Sequence, residues 1–202
     1  DVLGFMVLFA LLCAVVFAFG FLRAGQAASD QLPGVLWVTL LFSGTVGLLR
    51  LFSAEEDGGT LLLVQRTTSG SLPLFASKAL LQLLFSGLVC ALLLPVSLVF
   101  FDASLRSPLV VVATVLLGLV GQALLGTLCA ALLVHVRLRE VLLPLVLYPL
   151  LAPVLLAGVQ VTALSQAGAP GEAIGGWLLL LGAYDAVALV LAPWLYARAA
   201  AS

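Results

Sequence analysis

The stretch of sequence that decides the fold is Leu32–Leu61, which reads LPGVLWVTLLFSGTVGLLRLFSAEEDGGTL. Up to Phe52 it is almost entirely apolar, and it is long enough to cross the hydrocarbon of a bilayer, which takes about 20 residues of helix. After Phe52 come three acidic residues and two glycines, and this part is too polar to span. The stretch therefore predicts a membrane-spanning helix that leads directly into a charged loop.

The rest of the chain has the same apolar composition. Of its 202 residues, 64% are hydrophobic and 8% are charged, whereas a soluble domain carries about 25% charged residues. This composition predicts an integral membrane protein surrounded by the lipid bilayer. A net charge of -1 provides no overall basic field for nucleic acid. Cys13, Cys90 and Cys129 each lie within an apolar run, which predicts buried, inert thiols and no disulfide framework or metal site.

Six stretches are apolar and long enough to span, and the polar breaks between them are too short to form a second domain. The first could instead be a signal peptide, but no basic segment precedes it and its apolar run exceeds the usual ~7–15 residues. We expect a retained span, preceded in the native protein by a further N-terminal segment. The prediction is an all-α, single transmembrane domain over residues 1–202, with spans at 2–22, 32–52, 74–101, 108–134, 141–164 and 176–197.

The basic residues are distributed unequally between the two faces that six spans define. Cytoplasmic connections of membrane proteins carry an excess of Lys and Arg. The distribution therefore places the second and fourth connections, and both termini, in the cytoplasm. The face with these connections has Arg50, Arg66, Lys78, Arg137, Arg139 and Arg198, and the other face has Arg23 and Arg106.

The acidic loop after the second span has two interpretations. Glu55, Glu56 and Asp57 suit the positive end of a helix macrodipole, which predicts that they start a short amphipathic helix with the leucines after Thr60 on its apolar face. Such a helix could rest on lipid headgroups, or it could dock into a basic groove of a protein partner. Acids are repelled by an anionic leaflet, so the sequence favours a protein partner.

Three stretches together resemble a known family. They are the stretch Leu32–Leu61, REVLLPLVLYPLLAPVLLAG at Arg139–Gly158, and GAYDAVALVLAPWLY at Gly182–Tyr196. In these stretches and their spacing, nearly the whole chain resembles the B subunit of the cytochrome c maturation haem exporter, the CcmB family. These are membrane permeases of the ATP-binding-cassette class, with an architecture like that of other exporters of the ABC-2 type.

The resemblance implies a function and a set of partners. It implies a coupling helix after the second span that seats in a cytoplasmic ATPase subunit (CcmA-like), where ATP is hydrolysed; the chain itself has no phosphate-binding P-loop motif. It also implies a second copy of the chain in the complex, haem-handling membrane subunits (CcmC- and CcmD-like), a haem chaperone (CcmE-like), haem as substrate, and the bacterial inner membrane. The residues that match the coupling helix are Glu55, Glu56, Asp57, Gly58, Gly59, Thr60 and Leu61.

Two other functions remain open on the sequence. An exporter permease of the same architecture could carry lipid, glycan or drug, and a membrane scaffold could dock partners without transporting anything. No Ser/His/Asp or Cys/His arrangement has its members together, so we expect no catalytic residue. His135 is the only histidine; it lies at a span end, which predicts a solvated interfacial side chain, and no pair of haem ligands is recognisable.

Asp185 is the least expected residue inside a span, because a carboxylate at the bilayer centre costs about 2.5–3.5 kcal/mol on insertion scales. Such residues usually face the interior of the bundle. Gln122, Gln82 and Ser86 are predicted at comparable depth and are candidate partners. Asp185 either holds helices together or takes part in transport or gating.

The fifth span carries Pro144, Pro149 and Pro153, which interrupt backbone hydrogen bonds. This helix is either deformable during transport or statically kinked. In the fourth span, a ridge of small residues suits close packing, either within the subunit or between two copies; it consists of Ala123, Thr127 and Ala131, with Gly126 and Ala130 beside it. Trp37, Trp177 and Trp194 are expected near span ends, as in an aromatic belt.

Overall fold

A computed structural model describes residues 2–23, 28–58, 71–134 and 136–200 of the chain. These residues form six helices and no strand, and every helix is long and apolar enough to cross a membrane. The prediction of an all-α chain with six helices that could span a membrane is therefore confirmed. The helices are α1 Val2–Arg23, α2 Ala28–Gly58, α3 Ser71–Phe100, α4 Pro108–Leu132, α5 Arg139–Ala167 and α6 Gly171–Ala200.

The helices extend beyond most of the predicted spans, because a helix continues for as long as its backbone bonds are made, whatever the polarity of its side chains. α6 begins at Gly171, five residues before the predicted span, and includes Glu172 in its first turn. α5 is a continuous helix through all three of its prolines. The end of the bundle at which α2 terminates is called the acidic end, and the other end is called the opposite end.

The acidic residues after the second span are placed differently from the prediction. Glu55, Glu56 and Asp57 lie in the last turns of α2 and do not start a separate helix. The physical reason is that no glycine or proline interrupts the chain between the span and Gly58, so the helix continues. Gly59, Thr60 and Leu61 lie outside the described residues, as do the side chains of the three acids.

Helices α2 and α4 form the centre of the bundle. α2 packs against α1, α3, α4 and α5, and α4 packs against α2, α3, α5 and α6. Within the most apolar window of each helix, 72% of the residues of α2 and 56% of those of α4 are buried, against 22% for α1 and for α6. The core is therefore built around two adjacent central helices, with α1 and α6 at the sides.

At the opposite end, α3 and α5 terminate in the same way. Asp102 (φ 45°) follows α3 and Gly168 (φ 68°) follows α5, each in the left-handed conformation. The amide of the next residue donates back to the helix in both cases, from Ala103 to Leu98 and from Ala169 to Leu164, which is the Schellman pattern. The two helix ends thus turn the chain sharply into short connections.

The two connections at the opposite end contact each other. The Arg106 side chain lies over Gly168, where a Cβ would come within 2.6 Å of its Cδ. The Ser165 hydroxyl donates to the carbonyl of Ser107 at 3.2 Å. The Gln166 amide donates to the carbonyl of Ser29 at 3.2 Å. Side chains from the end of α5 therefore join α5 to the starts of α2 and α4.

Candidate functional site

The backbone of α2 accepts hydrogen bonds from a side chain of α4. Gln122 is buried, and its Nε2 donates to the carbonyl oxygens of Leu41 at 3.0 Å and Leu40 at 3.4 Å. The approach is possible because Gly44 has no side chain, since a Cβ there would overlap the Gln122 amide. This contact fixes α2 against the other central helix.

A side chain of α3 holds the same turn of α2. Gln82 is fully buried, and its Nε2 donates to the Gly44 carbonyl at 2.9 Å and to the Ser86 hydroxyl at 3.1 Å. Two helices therefore place amide donors on carbonyls of α2 that lie within about one helical turn of each other.

The remaining neighbours of α2 also make polar contacts with it. The Ser43 hydroxyl donates to the Met6 carbonyl of α1 at 3.0 Å. The Trp37 Nε1 donates to the Thr162 hydroxyl of α5 at 3.0 Å, and that hydroxyl donates to the Gly158 carbonyl at 2.8 Å. A hydrogen bond thus joins α2 to each of the four helices that pack against it.

Trp37 is an interhelical contact that the sequence did not reveal. The expectation that it belongs to an aromatic belt is wrong, because its side chain is buried within the bundle. Its ring lies against Gly158, where any Cβ would overlap it. The signal in the sequence was the four-residue spacing of Gly158 and Thr162, which puts a gap and a hydroxyl on the same face of α5.

Asp185 of α6 is 4% exposed, yet among the described residues neither of its carboxyl oxygens has a hydrogen-bond partner. Its Oδ1 lies 2.6 Å from the position that a Cβ on Gly121 of α4 would occupy. The expectation that Gln122, Gln82 or Ser86 would be its partner is wrong for this structure. Both amides are directed at α2, and the Ser86 hydroxyl accepts from Gln82.

The small-residue ridge of α4 packs within the subunit. A Cβ on Gly126 would overlap the Leu48 side chain of α2, and Thr127 and Ala130 beside it are buried. Of the two alternatives for this ridge, the structure therefore supports helix packing inside one chain.

Cations at the acidic end lie over aromatic rings. The Arg50 guanidinium is 4.3 Å from the centre of the Phe5 ring, and Lys78 Nζ is 4.0 Å from that of Phe52. On α6, the Arg198 guanidinium is 4.2 Å from the ring centre of Trp194. Such pairs are common where apolar stems meet water. His135 lies outside the described residues.

The described residues contain no group of three or more His, Cys, Asp or Glu side chains that could hold a metal ion. Cys90 and Cys129 are buried free thiols and Cys13 is a partly buried one. The hydrogen bonds between helices in the described part of the chain are made by amide, hydroxyl and indole groups, and the Asp185 carboxyl makes none there.

Comparison with known proteins identifies the kind of bundle this is. A family model described as CcmB protein matches residues 1–202. A protein of Paracoccus denitrificans named Heme exporter protein B is 33% identical over 199 residues, covering 97% of this chain and 88% of its own length. Proteins of the same name from Rhodobacter capsulatus (30% identical, 97% of this chain and 88% of theirs) and Pseudomonas aeruginosa (31%, 80% and 71%) are similar. The chain is a multi-pass membrane permease component and belongs to the CcmB family.

Proposed function

We propose that this chain is the permease subunit of an ATP-binding-cassette complex for haem export or haem-chaperone release in cytochrome c maturation. A separate cytoplasmic ATPase (CcmA-like) supplies the energy. The observation that carries the proposal is the course of α2. It runs unbroken from the centre of the bundle to Glu55, Glu56 and Asp57, the positions that match the family's coupling segment. Force applied to those residues reaches all four helices bonded to α2.

The distribution of charge supports a cytoplasmic acidic end. Six basic residues have side chains that the structure describes. Arg106 is at the opposite end, and the other five are at the acidic end, namely Arg50, Lys78, Arg137, Arg139 and Arg198. The bias of Lys and Arg toward cytoplasmic connections therefore supports a cytoplasmic location for the acidic end and for both termini. Since the relatives are bacterial, the membrane is the inner membrane.

The mechanism assigns no chemical step to this chain. ATP is bound and hydrolysed by the partner, which seats the coupling segment of residues 55–61 in a cleft. Closure of two ATPase subunits moves two such segments, one from each of two permease copies, and α2 tilts with its segment. On the other side of the membrane, this movement acts on haem-handling subunits (CcmC- and CcmD-like) and a haem chaperone (CcmE-like). Haem is the substrate of the complex.

The two rival functions differ in what the complex contains. A lipid, glycan or drug exporter would purify with an ATPase but without haem-handling subunits, and a scaffold would bind partners without ATP-dependent transport. The names of the relatives favour haem. Purification of the native complex, with identification of its subunits and its haem content, separates the first rival. ATP-dependent transport into liposomes, with and without the ATPase, separates the second.

The coupling segment is tested by reversing its charge. In the triple variant Glu55→Lys, Glu56→Lys, Asp57→Lys we expect normal membrane insertion and loss of the co-purifying ATPase, because three attractive charges become repulsive. The measurement is the amount of ATPase retained per permease after affinity purification from solubilised membranes.

Two single variants are matched controls for the charge reversal. Glu140→Lys changes an exposed acid at the same end of the bundle, and Glu172→Lys changes an exposed acid at the opposite end. Both are expected to retain the ATPase. Full retention by the triple variant would contradict the docking assignment, and equal loss in all three variants would attribute the effect to general charge.

A further inference from the structure

We propose that Gln122 is a hydrogen-bond switch, which donates to α2 in the present state and to the Asp185 carboxyl of α6 when α2 moves. The inference rests on the proposed function, because it takes α2 as the helix that the ATPase displaces. It assigns Gln122 and Asp185 the role of positioning residues that link the driven helix to a helix with which α2 makes no substantial contact.

The donor and the orphaned acceptor occupy neighbouring positions around α4. Gly121 faces the carboxyl of Asp185, with Oδ1 2.6 Å from its Cβ position, and the next residue, Gln122, faces the carbonyls of α2. Consecutive helical residues point about 100° apart. α4 thus lies between α2 and α6. Its Gln122 amide donor faces α2, and on the neighbouring side of α4 lies the Asp185 carboxyl of α6, which has no donor among the described residues.

The exchange costs little on the side of α2. The carbonyl of Leu41 also accepts the Thr45 hydroxyl at 2.8 Å, and it lies inside a helix whose backbone amides bond to the fourth carbonyl before them. The carbonyl therefore stays satisfied when Gln122 leaves. On the side of α6 the exchange is favourable, since a buried carboxyl without a donor is among the least stable polar arrangements in a bundle.

The displacement that the switch needs is small. The bond from Gln122 to Leu41 is 3.0 Å long, and a donor–acceptor separation of about 3.6 Å is no longer a hydrogen bond. A movement of α2 that lengthens this donor–acceptor separation by about 0.6 Å is therefore enough to break it. The flexible Gln122 side chain then turns toward Asp185, and α6 is held by α4 in a new way. By linkage, holding Asp185 would in turn favour the displaced position of α2.

The test is an infrared difference spectrum of the complete complex, with a non-hydrolysable ATP analogue minus without nucleotide. Comparing wild type with Asp185→Asn identifies the band of the Asp185 carboxyl. We expect this band to shift to lower frequency when nucleotide binds, because the carboxyl gains a donor. Gln122→Met, which keeps the length of the side chain and removes the donor, should abolish the shift. If the Gln122→Met complex does not assemble, Gln122→Leu is used in its place.

Gln82→Met is the matched control. It removes an equivalent amide donor to α2 from α3, away from Asp185, and should leave the band shift intact. A second measurement is permease-stimulated ATP hydrolysis. Gln122→Met and Asp185→Leu, which removes the acceptor, should each lower it about tenfold, and the double variant should lower it no further, as for residues that act as a unit.

The outcomes separate this inference from the proposed function. If the ATPase co-purifies but the Asp185 band does not change with nucleotide, or if it still shifts in Gln122→Met, the switch is overturned and the proposed function stands. If the wild-type chain retains no ATPase, the proposed function fails and the switch fails with it.

Discussion

The contacts of α2 and the contact between α4 and α6 differ in how their polar groups are satisfied. Every helix that packs against α2 is joined to it by a hydrogen bond, from Gln122, Gln82, Ser43 or Trp37. At the α4–α6 contact, both oxygens of the Asp185 carboxyl lack a partner among the described residues. At the α2 contacts, Thr39 Oγ1 and Gln82 Oε1 also lack a partner among the described residues, but each contact has at least one interhelical hydrogen bond. The difference teaches that hydrogen bonds hold the bundle together around α2, whereas the Asp185 carboxyl makes none in this state and is available for function.

The largest effect is expected where α2 and α5 meet. In Gly158→Leu the new side chain would overlap the Trp37 ring, which cannot move aside without disturbing both helices. We expect a loss of more than about 3 kcal/mol in the free energy of unfolding, measured by helical circular dichroism during denaturant titration in detergent. Gly182→Leu on α6, where nothing lies within 4 Å, is the matched control, and an equal loss there would contradict the packing account.

A smaller effect is expected at the indole. Trp37→Phe removes the donor to Thr162 and leaves a small cavity, which should lower the free energy of unfolding by about 1–2 kcal/mol. The same substitution at the half-exposed Trp194 should change it by less than about 0.5 kcal/mol. If both substitutions had the same effect, Trp37 would be no more important to stability than a tryptophan at the membrane surface.

The amide contact between the central helices is expected to contribute less again. Gln122→Met fills a similar volume and removes the donor to Leu41, and interhelical hydrogen bonds in membranes are worth about 1 kcal/mol. Thermal unfolding in detergent should show a loss of that size. If Gln122→Met caused no measurable loss of stability, the hydrogen bond from Gln122 to α2 would contribute no more than the unpaired Asp185 carboxyl of α6, and the contrast between the two contacts would disappear.

The smallest effect on stability is expected at Asp185. Asp185→Leu removes a buried carboxyl without a donor, so the free energy of unfolding should stay within about 1 kcal/mol of wild type or rise, while cytochrome c assembly in cells falls. Asp185→Asn keeps a hydrogen-bonding group and should impair assembly less. A loss of more than about 2 kcal/mol in Asp185→Leu would show that the carboxyl holds the bundle together after all.

The sequence predicted the number, order and class of the spans because hydrophobic length alone identifies them. It placed Gln122, Gln82 and Asp185 within spans for the same reason. It did not predict their partners, because depth in the membrane says nothing about the direction in which a side chain points around its helix. Gly121 and Gln122 are consecutive residues of α4, yet Gly121 faces α6 and Gln122 faces α2.

Two other misses have similar physical causes. Trp37 was assigned to the membrane surface from its place in the chain, but its ring fits against Gly158, which has no side chain and lies on a helix far away in the sequence. The acids at Glu55–Asp57 were expected to begin a helix because acids suit the positive, N-terminal end of the helix macrodipole. Helix α2 carries them at its C-terminal end, since continuity of the backbone outweighs a weak charge–dipole preference.

The central claim is that α2 carries the coupling segment into a cytoplasmic ATPase. Its most direct test is a photo-crosslinking amino acid placed at Asp57 in the complete complex, with one at Glu172 as the control at the opposite end, followed by identification of the crosslinked proteins. We predict that Asp57 crosslinks to the ATPase subunit and Glu172 does not. Crosslinks from Asp57 to lipid or periplasmic proteins alone would contradict the account.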